Sequence, residues 1–458
     1  MPDFCSIKNA LESGGFFAKK TWKISPDAYR LSPEEIAELE NIGTAALAFY
    51  RALEKLYLAS AENRSLLRNG KLFAPWVSEI LNRGKPPRLV AHQRTRALAG
   101  TLPPVIRPDL LVCEDGFALT ELDSVPGGIG LTAFLNRLYA CGNADAMPQL
   151  FLDAVTRGAA RSRVAIAVSD EADDYRAEFE QLAETLRAQG AEISVCHPNE
   201  TEISENGVFL RGKKIDVLYR FFELFDLGNV NAADALFTAA ERGNVVVTPP
   251  MRPFQEEKSA LALLHHPTLF PFWTETLGEK NFSLIKKIVP ETWLVEPLPE
   301  HGLPACAVLH APTVGGRAIR NWSELAAAGR RDRELVLKAS GFDETAWGAR
   351  SVTVGTDVSQ RDWALALENA LNRARERNSF YVLQRFHKPA KKEFRIFDAE
   401  GNAVPAFGRV RICPYYFVVR DELSRERVHL GGALCTFCPP DKKIIHGMSD
   451  AVLAPCAL

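Results

Sequence analysis

The sequence predicts a mixed α/β (α+β) protein, and three stretches carry that prediction. Between residues 161 and 250, strand patterns alternate with a helical one, the order of a parallel sheet. "RVAIAV" reads as a buried strand and "DDYRAEFEQLAETLRAQG" as an amphipathic helix ending at Gly190. "AEISVCHP", "IDVLYRFFEL" and "NVVVTPP" read as three further strands. Residues 106–124 read as a β-hairpin, "DLLVCE" and "FALTELD" joined at Asp115-Gly116, a strong short-range turn signal. After residue 300 the pattern is α+β. "ELVLKAS", "FYVLQRF", "EFRIFD", "AVPAFGRVRICPYYFV" and "VHLGGALCTF" read as strands, and a helix "QRDWALALENALNRARERN" starts after Ser359.

The remaining segments read as helical. In "SPEEIAELENIGTAALAFYRALEKLYLAS", Ser32 is an N-cap, Pro33 stands at the first helical position and Glu34 and Glu35 fill the first turn. Apolar residues then recur at helical spacing. Residues 251–300 read as helical through "QEEKSALALLHH" and "SLIKKIVPETW". Four divisions follow: a mainly helical lobe at 1–105, the hairpin and a Gly-rich turn at 106–160, an α/β domain at 161–250, and a last region at 251–458.

A chain of 458 residues with 47% apolar content can bury a large core. Its net charge of -2 argues against a nucleic-acid partner, because phosphate-gripping domains carry a basic excess. No stretch of about 18 apolar residues marks a membrane span. "MPDFCSIKNALESGG" shows no charged segment followed by an apolar run, so a cytoplasmic location is expected. Nine scattered cysteines fit free thiols in a reducing compartment. Cys435 and Cys438 have CxxC spacing, with His446 and Cys456 following. "GGALCTFCPP" alternates like a strand, so two thiols near a strand end is the reading preferred over a zinc knuckle.

The chemistry concentrates in "RPDLLVCEDGFALTELDSVPGGIG", residues 107–130. Strand alternation puts Glu121 and Asp123 on one face. Counting back from the turn sets Asp109 opposite Asp123 or Leu122. Three converging carboxylates repel one another unless a cation sits between them, and magnesium takes such hard oxygen ligands. Arg107 points to the face of Asp109 and can touch a phosphate. The competing reading is a solvated acidic strand.

Three other places carry charge near glycine or strand ends. In "ELVLKASGFDETAWGARSV", Lys338 ends an apolar strand, where a charge is costly unless used. Gly341, Gly348 and Arg350 follow in a loop whose amides can cradle phosphate. In "FYVLQRFHKP", the strand end at Val382, Leu383, Gln384 and Arg385 could present backbone groups to an adenine edge. Lys258 begins an apolar helix in "FQEEKSALALLHH", and Arg409 and Arg411 share one face of "GRVRICPYY", where they could bind a phosphate or a substrate carboxylate. Each is an ordinary structural feature when taken alone. Neither a GxGxxG after the first strand nor a GxxxxGK[ST] is present.

Taken together, these pieces resemble the ATP-grasp enzymes of the glutathionylspermidine synthase type and the related circularly permuted ATP-grasp proteins. "RPD" and "ELD" resemble that family's magnesium hairpin in order and spacing, with Asp123 where the family pattern has Asn. Lys258 in "EEKSALALL", Lys338 with "WGAR", and "YVLQRF" are similar to its nucleotide-binding segments. "GRVRICPYYFVV…HLGGAL" is similar to its arginine-bearing strand and Gly-Gly turn, with Cys435 near the place where an arginine commonly follows. The resemblance covers residues 105–455. It implies an ATP-grasp core with an α/β pre-ATP-grasp domain, the helical N-terminal lobe lying outside it. It implies ATP and Mg²⁺ as cofactors, and small-molecule carboxylate and amine substrates joined through an acyl phosphate. By the same resemblance Asp109, Glu121 and Asp123 hold the metal and Arg107 stabilises the transferred phosphoryl group. Lys258 and Lys338 bind the nucleotide phosphates, the 341–350 loop closes over them, and the 382–385 strand end holds adenine. The acyl acceptor meets Ser124, Gly127 and Gly128. A phosphotransferase and a non-catalytic nucleotide-binding protein are the alternatives.

Overall fold

The computed structural model describes residues 5, 7, 9, 23–142, 145–231, 233–297, 311–346, 349–376, 378, 380–398, 400–445 and 451–458. The chain divides into two compact units, each assembled from separated segments. The first comprises residues 1–47, 95–251 and 388–458, and the second 48–94 and 252–387. Residues 1–105 are thus shared between the two. The N-terminal helix Pro33–Ala61 begins as expected: the Glu35 N–H donates to Ser32 Oγ (3.2 Å) and the Ser32 N–H to Glu35 Oε2 (2.8 Å).

The first unit contains two main sheets. One is fully parallel, in the order Val246–Thr248, Val217–Phe221, Val164–Val168, Ile193–Cys196. All four strands are those read from the sequence. Val164, Ile166 and Val168 are buried, and Phe179, Leu182 and Leu186 of the helix Arg176–Ala188 belong to the same core. A small antiparallel sheet, Thr201–Ser204, Gly207–Leu210 and Lys213–Ile215, was not legible, because its strands are only three or four residues long.

The larger sheet runs Lys23–Ile24, Val452–Ala457, Glu426–Cys438, Ala403–Arg420, Val105–Cys113, Gly116–Asp123, with Lys391–Phe397 also pairing onto Ala403–Arg420. Ala403–Arg420 is a single strand of 18 residues although it contains Pro405 and Pro414. Proline has no N–H for a ladder, so it is expected only where pairing is broken. Pairing with Val105–Cys113 holds at Arg411↔Leu111 and Ile412↔Leu110 and resumes at Tyr416↔Ile106. The gap between them contains Pro414 on one strand and Pro108 on the other. Arg107 and Asp109 flank Pro108, so the hydrogen-bond ladder is interrupted where the hairpin carries its charges.

Two sequence expectations are corrected here. The Gly431-Gly432 pair is no turn. It lies inside the strand Glu426–Cys438 at a bulge, where the register shifts between Tyr415↔Gly432 and Tyr416↔Leu430. A Cβ on Gly431 would stand 2.5 Å from the Phe417 ring, so packing requires glycine there. The helix expected through "SLIKKIVPETW" stops at Ile288, and Thr292–Val295 is a strand. Pro290 intervenes, and a proline cannot continue the helical hydrogen bonding.

The second unit contains an antiparallel sheet in the order Thr292–Val295, Tyr381–Arg385, Leu335–Ala339, Thr353–Val354. The helix Gln360–Arg375 starts where Ser359 Oγ accepts the Asp362 N–H (3.1 Å). Its buried Trp363 and Leu367 pack with Leu337, Leu383 and Trp293 of the sheet. Among the described residues no helix is long and apolar enough to cross a membrane.

Candidate functional site

In the first unit the hairpin strands are Val105–Cys113 and Gly116–Asp123, with Cys113 paired to Gly116. The turn is therefore Glu114-Asp115, one residue earlier than Asp115-Gly116. A register shift between Asp109 and Leu110 then leaves Thr120 as an extra residue. Its hydroxyl donates to the Asp109 carbonyl (3.1 Å). These two effects set Asp109 opposite Glu121, not opposite Leu122 or Asp123, and Arg107 opposite Asp123.

The carboxylates meet arginines. Asp109 Oδ1 accepts from Arg107 Nε (3.0 Å) and from the Cys413 thiol (3.4 Å), while Oδ2 accepts from a terminal nitrogen of Arg411 (2.7 Å). Arg107 also pairs with Asp123 (3.0 Å) and donates to the Gly127 carbonyl (3.0 Å). Asp123 Oδ1 accepts the Val125 N–H (2.8 Å). Burial opposes the charge on Asp109, but Arg107 and Arg411 outweigh it and hold the carboxyl below its ordinary range. Asp123 goes the other way. Burial, with Glu121 and Asp109 adding to it, raises its pKa although Arg107 pulls down. The Cys413 thiol is pushed up to about 12 by burial. Arg409, on the strand of Arg411, donates to the Pro440 (2.8 Å) and Pro389 (2.6 Å) carbonyls and ties two loops together.

Burial is the main reason the Asp123 carboxyl is raised, and the nearby carboxylates of Glu121 and Asp109 add to it. Carboxylate oxygens are the donor type that a hard divalent cation takes. Among the described residues no three His, Cys, Asp or Glu side chains stand together as a set of metal ligands. Asp109 can join such a set only when its arginines release it.

The Gly-rich turn is packed. Gly128 has φ +87°, and a Cβ there would lie 2.3 Å from the Tyr415 hydroxyl. At Gly127 a Cβ would lie 2.3 Å from the Tyr175 ring, and at Gly130 2.1 Å from the Glu178 carbonyl oxygen. The Gly128 N–H donates to Glu178 Oε1 (2.6 Å) and the Leu131 N–H to Oε2 (3.3 Å), so Glu178 already holds the start of the helix Ile129–Leu138. Ser124 is buried beside Asp123, and the Tyr415 hydroxyl donates to the Gly127 carbonyl (2.9 Å).

The second unit carries the lysines. Lys338, on Leu335–Ala339, is only 6% exposed, and its ammonium donates to Gln384 Oε1 (2.9 Å). Gln384 in turn donates to Thr292 Oγ1 (3.0 Å). Lys258, 8% exposed, stands at the start of Ser259–His265 and donates to the Ala346 carbonyl (2.8 Å). Two ammonium groups so deeply placed fit the phosphates of a nucleotide. Val382, Leu383, Gln384 and Arg385 form the middle strand, paired on one side to Thr292–Val295 and on the other to Leu335–Ala339. Both their backbone edges are spent within the sheet. The Arg385 side chain is paired with Glu291 (2.9 Å). The Gly341 N–H donates to Glu257 Oε2 (3.1 Å), Arg350 is exposed, and Gly348 lies outside the described residues.

Sequence reasoning missed Cys413, Tyr415, Glu178 and Glu257, whose partners lie far away along the chain. The one local sign was the acidic pair Glu256-Glu257 directly before Lys258. Cys435 and Cys438 are buried, the described cysteines form no disulfide, and His446 lies outside the described residues.

No protein-family model matches the chain, and no curated protein matches it. Solved structures do. A glutathione synthetase-like effector from Globodera pallida, in its apo form, aligns over 98% of this chain and 95% of its own at TM-score 0.58 and 13% identity. A putative gamma-glutamylcysteine synthetase from Methylobacillus flagellatus aligns at TM-score 0.45 and 12% identity, over 81% of this chain and 84% of that one. D-alanyl-alanine synthetase A from Vibrio cholerae aligns at TM-score 0.26 and 11% identity, over 64% of this chain and 89% of that one. The first of these shares the overall fold of this chain. The chain has the mixed α/β fold of the ATP-grasp type that its sequence predicts.

Proposed function

We propose that the protein is an ATP-dependent carboxylate–amine ligase, of the glutathionylspermidine synthase type, working through an acyl phosphate. The observation that carries this reading is the pair of buried lysines, Lys258 and Lys338, in a chain of ATP-grasp-type fold. A carboxylate oxygen of the acid attacks the γ-phosphorus of ATP, and ADP leaves. The amine nitrogen then attacks the acyl carbon, loses a proton, and phosphate leaves. Neither step needs a covalent enzyme intermediate, so positioning and charge neutralisation supply the rate.

Lys258 and Lys338 would bind the nucleotide phosphates, with the 341–350 loop, including Gly341, Gly348 and Arg350, beside them. With their backbone edges paired within the sheet, Val382, Leu383, Gln384 and Arg385 would border the adenine through side chains and not through backbone groups. Arg107 would stabilise the transferred phosphoryl group, with Arg409 and Arg411 as the other cations of its unit. Asp109, Glu121 and Asp123 would hold Mg²⁺, which when bound neutralises phosphate charge. Ser124, Gly127 and Gly128 would border the acid and amine substrates.

A second reading is favoured by one observation: Asp109 is held on both oxygens by arginines. A protein that binds a nucleotide without turnover could keep that arrangement permanently. Incubation with ATP, Mg²⁺ and panels of acids and amines separates the readings. The ligase is expected to release ADP and free phosphate only when both an acid and an amine are present. ADP without free phosphate, with one acceptor, marks a phosphotransferase. No ADP across broad panels, despite ATP binding, marks the non-catalytic protein.

A further inference from the structure

We infer that Glu257, neutralised by Lys85, is a positioning residue that locks the two lysine-bearing segments of the second unit into one fixed arrangement. The inference rests on the reading of Lys258 and Lys338 as the phosphate-binding pair. Glu257 immediately precedes Lys258. Ser340 and Gly341 follow Lys338 by two and three residues. Glu257 Oε2 joins these segments: it accepts the Gly341 N–H (3.1 Å), the Ser340 hydroxyl and the Ser259 hydroxyl (3.3 Å). Ser340 Oγ in turn accepts the Ser259 N–H (2.9 Å). The other carboxylate oxygen accepts from the Lys85 ammonium, whose side chain is 1% exposed against 4% for Glu257.

Steric contact makes the same junction close. A Cβ on Gly341 would stand 2.1 Å from the Glu256 carbonyl oxygen, so the chain after Lys338 presses directly on the chain before Lys258. Lys85 is fixed too, donating to the Arg83 carbonyl (3.4 Å) and lying 5.6 Å from the centre of the Phe342 ring. Burial works against the Glu257 charge, but Lys85, Ser340 and the Gly341 N–H hold its carboxyl below the ordinary range. Glu257 therefore acts through others. It fixes the backbone at both lysines, whose ammonium groups point to partners elsewhere, Gln384 and Ala346. Two cations that grip one polyphosphate lose affinity when their spacing fluctuates, because binding must then order them.

The test is a double-mutant cycle on ATP affinity, measured by calorimetry on the full chain. Four proteins are compared: wild type, Lys338→Met, Lys85→Met/Glu257→Gln, and the combination. Removing both charges together avoids stranding one in the interior. The clamp variant is expected to fold and to bind ATP about tenfold more weakly. Lys338→Met, costing wild type about a hundredfold, is expected to cost the clamp variant less than about tenfold, the non-additivity of residues acting as a unit. Wild-type affinity in the clamp variant overturns the inference, and so does a full hundredfold loss from Lys338→Met in that background, the mark of a merely structural role. If Lys338→Met leaves ATP binding unchanged in wild type, the nucleotide reading itself fails and takes the inference with it. Should the clamp variant not fold, Ser340→Ala replaces it, since it removes two hydrogen bonds and strands no charge. A smaller loss with the same coupling is expected, and unchanged affinity overturns the inference.

Discussion

Asp109→Ala is expected to destabilise the first unit by about 3–5 kcal/mol, the cost of removing one partner from a buried ionic cluster. Asp109 accepts from Arg107 (3.0 Å) and Arg411 (2.7 Å), whose side chains are 17% and 16% exposed. Without the carboxylate, two buried guanidiniums lose their shared counter-charge where the ladder is interrupted by Pro108 and Pro414. Hydrogen exchange should report the loss directly, as faster exchange in 105–123 and 403–420 with little change in 335–339 and 381–385. Unchanged protection in the first unit would show that the cluster contributes nothing to the fold.

The pH dependence has a definite sign. Asp109 has a folded pKa below its reference value of 3.8, so its stabilisation is present above that value and is lost as pH falls through the folded pKa. Asp109→Asn should therefore lie below wild type in stability near neutrality and converge on it in acid. Asp123, raised instead, works oppositely: its ionisation weakens the fold as pH climbs through its folded pKa.

Lys338→Met is expected to lower ATP affinity about a hundredfold, equivalent to ~2.7 kcal/mol, within the range for truncating one partner of a buried charged contact. Methionine keeps most of the side-chain volume inside the sheet. Gln384 keeps its bond to Thr292 Oγ1 (3.0 Å), so the strand order should survive. The loss should therefore appear in binding, with the unfolding midpoint of the second unit close to wild type. A variant that binds ATP normally would remove Lys338 from the nucleotide site.

Much of this architecture was legible because it is local. Four parallel strands, the helix Arg176–Ala188 and the Ser32 cap follow from periodicity and capping chemistry, which act within a few residues. The hairpin was visible, but its register was not. The turn fell one residue earlier and the bulge at Thr120 added one more, so the carboxylate opposite Asp109 changed identity. Glycine told less than expected. Gly127 and Gly128 read as part of a Gly-rich turn that meets the acyl acceptor, yet Gly127, Gly128 and Gly130 are each required by a neighbour from another segment: Tyr175, Tyr415 and the Glu178 backbone. The same holds for charge. Arg411 and Asp109 are 302 positions apart and meet only because their strands lie side by side, which no local pattern encodes.

The proposed ligase activity requires that the chain bind ATP and that Mg²⁺, with Glu121, strengthen that binding. Calorimetric titration of ATP, with and without Mg²⁺, into wild type and Glu121→Ala tests it most directly. ATP is expected to bind, Mg²⁺ to strengthen binding, and Glu121→Ala to abolish the strengthening while leaving metal-free binding intact. Absence of ATP binding to the wild-type protein in both conditions would contradict it.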